Sequence, residues 1–159
     1  MSISPTSDAT VGERVFRFGT KAETLERLAP LLKRVRLCEQ ILITVADWRK
    51  SNDTVIERIL DRFADRPLAV RSSSTLEDGA QTSNAGRFES VTNVSPKAGA
   101  IGDAIERVIA SYGQTGDDQQ VLVQPMVEEL SLAGVVLTRD LETGSPYYVI
   151  DYDDFSGRT

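Results

Sequence analysis

The chain has 159 residues and no histidine, and that one absence removes several kinds of chemistry. It excludes a Ser-His-Asp or Cys-His nucleophilic centre, a His-ligated zinc site and a phosphohistidine relay within these residues. Cysteine is nearly absent as well. Cys38 has no second thiol to pair with, which fits a cytoplasmic address. No apolar run approaches the roughly 20 residues that cross a bilayer, and the polar opening around Asp8 lacks the apolar segment of a signal peptide. Positive charge is also in short supply: 18 Lys and Arg face 24 Asp and Glu, a net charge of -6. That balance argues against coating a nucleic-acid backbone, whereas a single nucleotide needs only a few placed cations. Neither membrane nor nucleic acid is expected as a partner.

What remains is ordinary globular material, with 40% hydrophobic and 26% charged residues, enough for one domain with a core. Residues 1–12 read as a flexible leader. A helix is expected over Lys21 to Leu37, with Thr20 and Glu23 at capping-box spacing and Leu25, Leu28, Ala29 and Leu32 on one face. Ile41 to Val45 is a short strand. A second helix is expected over Thr54 to Asp65, with Thr54 and Glu57 as its cap and Pro67 ending the stretch. A buried strand enters at Leu68, a polar stretch runs from Arg71 to Asn84, and a strand follows over Arg87 to Val94. Ser95 and Pro96 open a third helix whose stripe is Ile101, Ala104, Ile105, Val108, Ile109 and Tyr112. Three strand-like segments complete the chain: Gln120 to Val127, Ala133 to Thr138, and Tyr147 to Tyr152. The turn from Arg139 to Pro146 makes the last two a hairpin. This order predicts an α+β fold with mixed antiparallel sheets and flanking helices.

Two segments carry chemistry. In Leu68-Ala-Val-Arg71-Ser-Ser-Ser-Thr-Leu-Glu77-Asp78 a buried strand delivers an arginine into a run of hydroxyls followed by two acids. Arg71 either makes forked hydrogen bonds to phosphate or pairs with Glu77 or Asp78 to organise the loop, and both readings stand at this point. In Ser83-Asn-Ala-Gly86-Arg87-Phe88 the glycine either lets backbone amides approach an anion or simply turns a hairpin. Neither a P-loop nor a Rossmann glycine signature is present.

Taken together, Val70-Arg71-Ser72-Ser73-Ser74, Glu77-Asp78, Ser83, Ala85-Gly86 and Asn93-Val94 resemble the ATP-binding domain of the pyruvate phosphate dikinase and phosphoenolpyruvate synthase family. Phe18-Gly19-Thr20-Lys21-Ala22-Glu23 resembles a variant of that family's N-terminal glycine-lysine-glycine segment. Val121-Leu-Val-Gln124-Pro-Met126-Val127 resembles its adenine-side strand, and Gly134 to Asp140 with Thr143-Gly144 the strand and turn that follow. The resemblance implies an ATP-grasp-like fold, with ATP and Mg²⁺ as cofactors and phosphoryl transfer through a phosphohistidine on a separate domain towards pyruvate. It implies that Lys21 and Arg71 contact phosphates, that Gly86 and Arg87 belong to a cover over the triphosphate, and that Gln124, Met126 and Val127 line the adenine pocket. Arg139 is carried over with the turn as a further nucleotide-binding residue. A lysine in the first turn of a helix is disfavoured by the helix dipole, by about 1 kcal/mol at most, which suits a residue held for an anionic ligand. Met126, taken alone, reads as core packing, and only the resemblance moves it to the adenine pocket.

The domain expectation is therefore a partial ATP-grasp domain over residues 13–159, with a first subdomain at 13–115 and the start of an adenine-side subdomain at 116–159. The family's late glycine-leucine-glycine-glutamate segment is not visible, and the metal ligands stay unassigned. Asp151, Asp153 and Asp154 read either as an Mg²⁺ cluster or as a solvated turn. The expected partners are ATP and the phosphohistidine and pyruvate-binding domains, supplied by a longer chain or by a partner chain. A non-catalytic nucleotide-binding or protein-interaction module is the alternative.

Overall fold

The computed structural model describes residues 16–74, 78–79, 82–83, 88–113 and 116–154. The first described helix, α1 (Lys21–Leu28), starts at the expected capping box: the Thr20 side chain accepts from the Glu23 amide, and the Glu23 carboxylate accepts from the Thr20 amide. It ends well before Leu37. A single 3₁₀ turn, Ala29–Leu31, carries Pro30, and proline removes the amide and crowds the carbonyl that a continuing α-helix needs.

β1 (Ile41–Thr44) runs directly into α2 (Val45–Lys50), a helix the sequence reading did not anticipate. Thr44 caps it in a box closed by Asp47 rather than by the usual Glu or Gln, and Trp48 and Val45 are its buried residues. The Thr44 hydroxyl and amide both donate to the Asp47 carboxylate, which holds that carboxyl below its ordinary pKa. α3 (Asn52–Phe63) starts earlier than expected. Ser51 is its N-cap residue, and the Thr54–Glu57 cap does not form. Thr54 instead shares a hydroxyl hydrogen bond with Ser51 at 2.7 Å.

β2 (Leu68–Ser73) continues past the expected Val70 through Arg71 and the first two serines. The short pair β3 (Asp78–Gly79) and β4 (Thr82–Ser83) follows, then β5 (Ser90–Val94) and α4 (Ala98–Ser111), whose N-cap is Lys97 rather than a residue at Ser95 or Pro96. β6 (Gln120–Pro125) completes a four-stranded antiparallel sheet in the order β1-β6-β2-β5. Between the pairs Leu68↔Val94 and Val70↔Val91 the β5 side carries one extra residue, and Asn93 sits at φ 55 within this bulge. Asparagine tolerates that left-handed conformation better than most residues.

Strand alternation separates the two faces of the sheet. Ile41, Ile43, Leu68, Val70, Val94, Val121 and Val123 turn to one face and form one core with Val55, Ile59 and Phe63 of α3 and Ile101, Ala104, Ile105 and Val108 of α4. The α4 stripe thus packs as its period indicates. Tyr112, just beyond the helix, joins the same core and meets Phe88 edge-on with ring centroids 5.1 Å apart. Trp48 donates its indole N–H to Glu106 at 2.6 Å, tying α2 to α4. Pro125 ends β6 opposite Leu68, past the last β1 pair at Ile41↔Val123, so a proline fits a strand that is otherwise interior.

Two compact units divide between Pro125 and Met126, so β6 belongs with the first unit because it pairs with both β1 and β2. The sequence reading placed this division after residue 115. The second unit contains β7 (Ala133–Leu137) and β8 (Val149–Asp153), an antiparallel hairpin. Gly144 turns its loop at φ 70. There Asp140 accepts from the Thr143 hydroxyl and amide and from the Glu142 amide, which lowers its pKa. In β7, a Cβ at Gly134 would run into the Asp151 carbonyl and the Tyr152 side chain, so the glycine lets the two strands close. No helix among the described residues is long and apolar enough to cross a membrane.

Candidate functional site

Two of the expected site residues, Arg71 and Gln124, lie on the second face of the sheet. Ala69, Arg71 and Ser73 alternate along β2, and their β6 partners Gln124, Leu122 and Gln120 turn the same way. Ala69 and Leu122 are buried, Gln124 is half-buried, and Arg71 is exposed. Among the described side chains, which do not include those of Glu77 and Asp78, no carboxylate pairs with Arg71. Asp78 lies in β3, while Glu77 lies outside the described residues. Arg71 is thus an exposed cation carried on an interior strand, and its planar guanidinium has the geometry to fork onto phosphate oxygens.

α1 brings the second cation to this place. Its N-terminus rests on the end of the face: the Ala22 amide donates to Ser73 Oγ at 3.0 Å, and Lys21 Nζ donates to the Ser72 carbonyl at 3.3 Å. The Lys21 ammonium therefore stands one residue along β2 from Arg71. The amides around this N-terminus have side-chain partners already. Gly19 donates to Thr24, Thr20 to Glu23, Ala22 to Ser73 and Glu23 to Thr20. These amides are therefore already bonded within the chain, and the cationic side chains are the candidate groups for an anion. Gly19 matters for the box, because a Cβ there would collide with the Glu23 carboxylate.

Ser72, Ser73 and Ser74 are all buried. Ser73 accepts from α1 while its amide donates to the Tyr112 hydroxyl at 3.1 Å, and that hydroxyl donates to the Gln120 carbonyl. Gln120, which the sequence reading left unassigned, binds both halves of the capping box. Its Oε1 accepts from Thr20 Oγ1 at 2.7 Å, and its Nε2 donates to Glu23 Oε1 at 3.1 Å. The only hint in the sequence is a polar pair, Gln119-Gln120, standing directly before an apolar strand.

The other expected residues are placed as follows. Gly86 and Arg87 lie outside the described residues. Met126 opens the second unit half-buried, followed by exposed Val127, and Arg139 is exposed just after β7. Asp151 and Asp153 lie within β8 on one face rather than in a turn, with Asp154 just beyond. Among the described residues no group of three or more Asp, Glu, Cys or His is placed to hold a metal ion.

A family model, the AMP/ATP-binding domain of pyruvate phosphate dikinase, matches residues 20–116, more than half of the chain. The chain belongs to that family. No curated protein matches it. The α+β architecture with antiparallel sheets agrees with this AMP/ATP-binding domain, a domain of ATP-dependent phosphotransferases. The match to the pyruvate phosphate dikinase domain spans Lys21, Arg71, Gly86 and Arg87 and stops before β6. Gln124, Met126, Val127 and Arg139 lie beyond it.

Proposed function

We propose that this chain clamps Mg·ATP for phosphoryl transfer to a histidine on another domain, as part of a phosphotransferase of the phosphoenolpyruvate synthase and pyruvate phosphate dikinase type. The observation that carries this reading is the bond from Lys21 Nζ to the carbonyl of Ser72, the residue next to Arg71 in β2, with the Ala22–Ser73 bond seating α1 beside it. Two cations there offset the charge of a polyphosphate, and Arg71 adds a planar fork that matches phosphate oxygens. Phosphoryl transfer depends mostly on such positioning and charge neutralisation.

In this reading Gln124, half-buried on the same face as Arg71, belongs to the adenine side. The family resemblance extends the nucleotide-binding role to Met126 and Val127 on the adenine side, to Gly86 and Arg87 at the phosphates, and to Arg139. Lacking histidine, the chain holds no phosphohistidine acceptor of its own, so the acceptor is a residue of another domain. Mg²⁺ enters this reading as the companion of the nucleotide phosphates, with its protein ligands unassigned.

Titration calorimetry with Mg·ATP tests the reading. Arg71→Ala is expected to weaken binding roughly 10- to 100-fold, the loss of hydrogen bonds to a charged group, without a change in thermal midpoint. Native affinity in both Arg71→Ala and Lys21→Ala removes the phosphate roles. ATP binding without γ-phosphate ever reaching a histidine of a partner domain favours a non-catalytic module.

A further inference from the structure

We infer that Gln120 is a positioning residue for nucleotide binding, because its carboxamide fixes α1 on the sheet and so sets where the Lys21 ammonium stands relative to Arg71. The inference rests on the phosphate role proposed above for Lys21 and Arg71.

α1 has little apolar adhesion of its own. Ala22 is its one buried residue, while Leu25 and Leu28 are only half-buried. A helix of 8 residues is also too short to be stable alone. Its pose is therefore set by directional bonds, and these fall on the residues flanking Lys21. Thr20 and Glu23 are held by the Gln120 side chain. Ala22 is held at its amide by Ser73 and at its carbonyl by Gln40 Nε2 at 3.1 Å.

Gln120 suits the task by its chemistry. A carboxamide offers an acceptor and a donor at one terminus, which the Thr20 hydroxyl and the Glu23 carboxylate require together. A carboxylate in its place would face Glu23 with like charge, and methionine would fill the volume without either bond. The anchor is itself rigid: Gln120 pairs with Thr44 of β1 and Ser73 of β2, and its carbonyl takes the Tyr112 hydroxyl. One strand thus carries both Gln120, which fixes the helix, and Gln124, which stands on the proposed binding face.

The test compares Mg·ATP affinity, by titration calorimetry on the intact chain, among the native protein, Gln120→Met, Lys21→Ala and the double variant. Gln120→Met is expected to weaken binding roughly five- to tenfold, the scale of lost polar contacts, and Lys21→Ala at least as much. The double variant should bind no more weakly than Lys21→Ala, because without the ammonium there is nothing left to position. Losses that multiply in the double variant overturn the inference, as does native affinity in Gln120→Met. If the native chain takes up no ATP, or Lys21→Ala binds as the native chain does, the phosphate role fails and the inference falls with it. Hydrogen exchange gives a readout that needs no nucleotide. The Glu23 amide should exchange roughly tenfold faster in Gln120→Met, with Val123 still protected. Unchanged exchange at Glu23 overturns the anchoring step itself.

Discussion

The unit ending at Pro125 and the unit beginning at Met126 are both built around apolar antiparallel strands, and they use those strands in opposite ways. In the first, Val121 and Val123 of β6 are 0% exposed, flanked by β1 and β2 and covered by α3 and α4 on one face. In the second, Val136 is 59% and Ile150 63% exposed, although they pair across β7 and β8 as regularly as Val70 pairs with Val123. Apolar alternation specifies a strand and its register, but only a second layer converts that strand into a core. A two-stranded hairpin is marginal in water by itself.

The sharpest way to break this contrast is in the core. Ile105→Ala should cost about 3–4 kcal/mol in urea unfolding, since it empties a fully enclosed site. Ile150→Ala in the ribbon should stay within about 0.5 kcal/mol, and equal costs at the two positions would erase the distinction. A smaller loss, about 1 kcal/mol, is expected from Glu106→Ala, which leaves the Trp48 indole in place and removes its hydrogen-bond acceptor. Retained native stability there would show that α2 is held by packing alone.

A weaker effect concerns pH and again belongs to the first unit. The Thr44 donors favour ionised Asp47, so the folded carboxyl titrates below its unfolded value. Its contribution is present above the ordinary carboxylate range and is lost as the pH falls through the depressed folded value. Thr44→Val should therefore be less stable than native at neutral pH, by about 1 kcal/mol. The gap should narrow in acid, as followed by chemical unfolding at several pH values. The smallest effect is expected at Val136→Thr, which exchanges one exposed β-branched residue for another of similar shape and should leave the unfolding midpoint where it is.

Local features were legible in the sequence because their determinants are close together. The Thr20–Glu23 box and the α4 stripe each occupy a few turns, and both form as read. α1 was read too long because its apolar spacing continues through Pro30, which the backbone cannot accommodate in a helix. α2 escaped notice because 6 residues hold too little of a helical period, and its box closes with Asp47. The strand order β1-β6-β2-β5 was not legible, since nothing near Leu68 states that its neighbours are Pro125 and Val94. The candidate site divides in the same way. Lys21 and Arg71 stood out as residues, but what joins them is long-range. Ala22 reaches Ser73 across 51 positions of chain, and Thr20 reaches Gln120 across 100.

The indole of Trp48 is the only one in the chain, and it is enclosed between α2 and α4 with its N–H bound to Glu106. Tyr147, Tyr148 and Tyr152 all fall in the second unit and are exposed. Fluorescence excited at the red edge, where tyrosine absorbs little, therefore reports the melting of the first unit alone. Tyrosine emission weights the second unit. The molecule thus carries two intrinsic optical probes, and their transitions show whether its halves come apart together or in sequence.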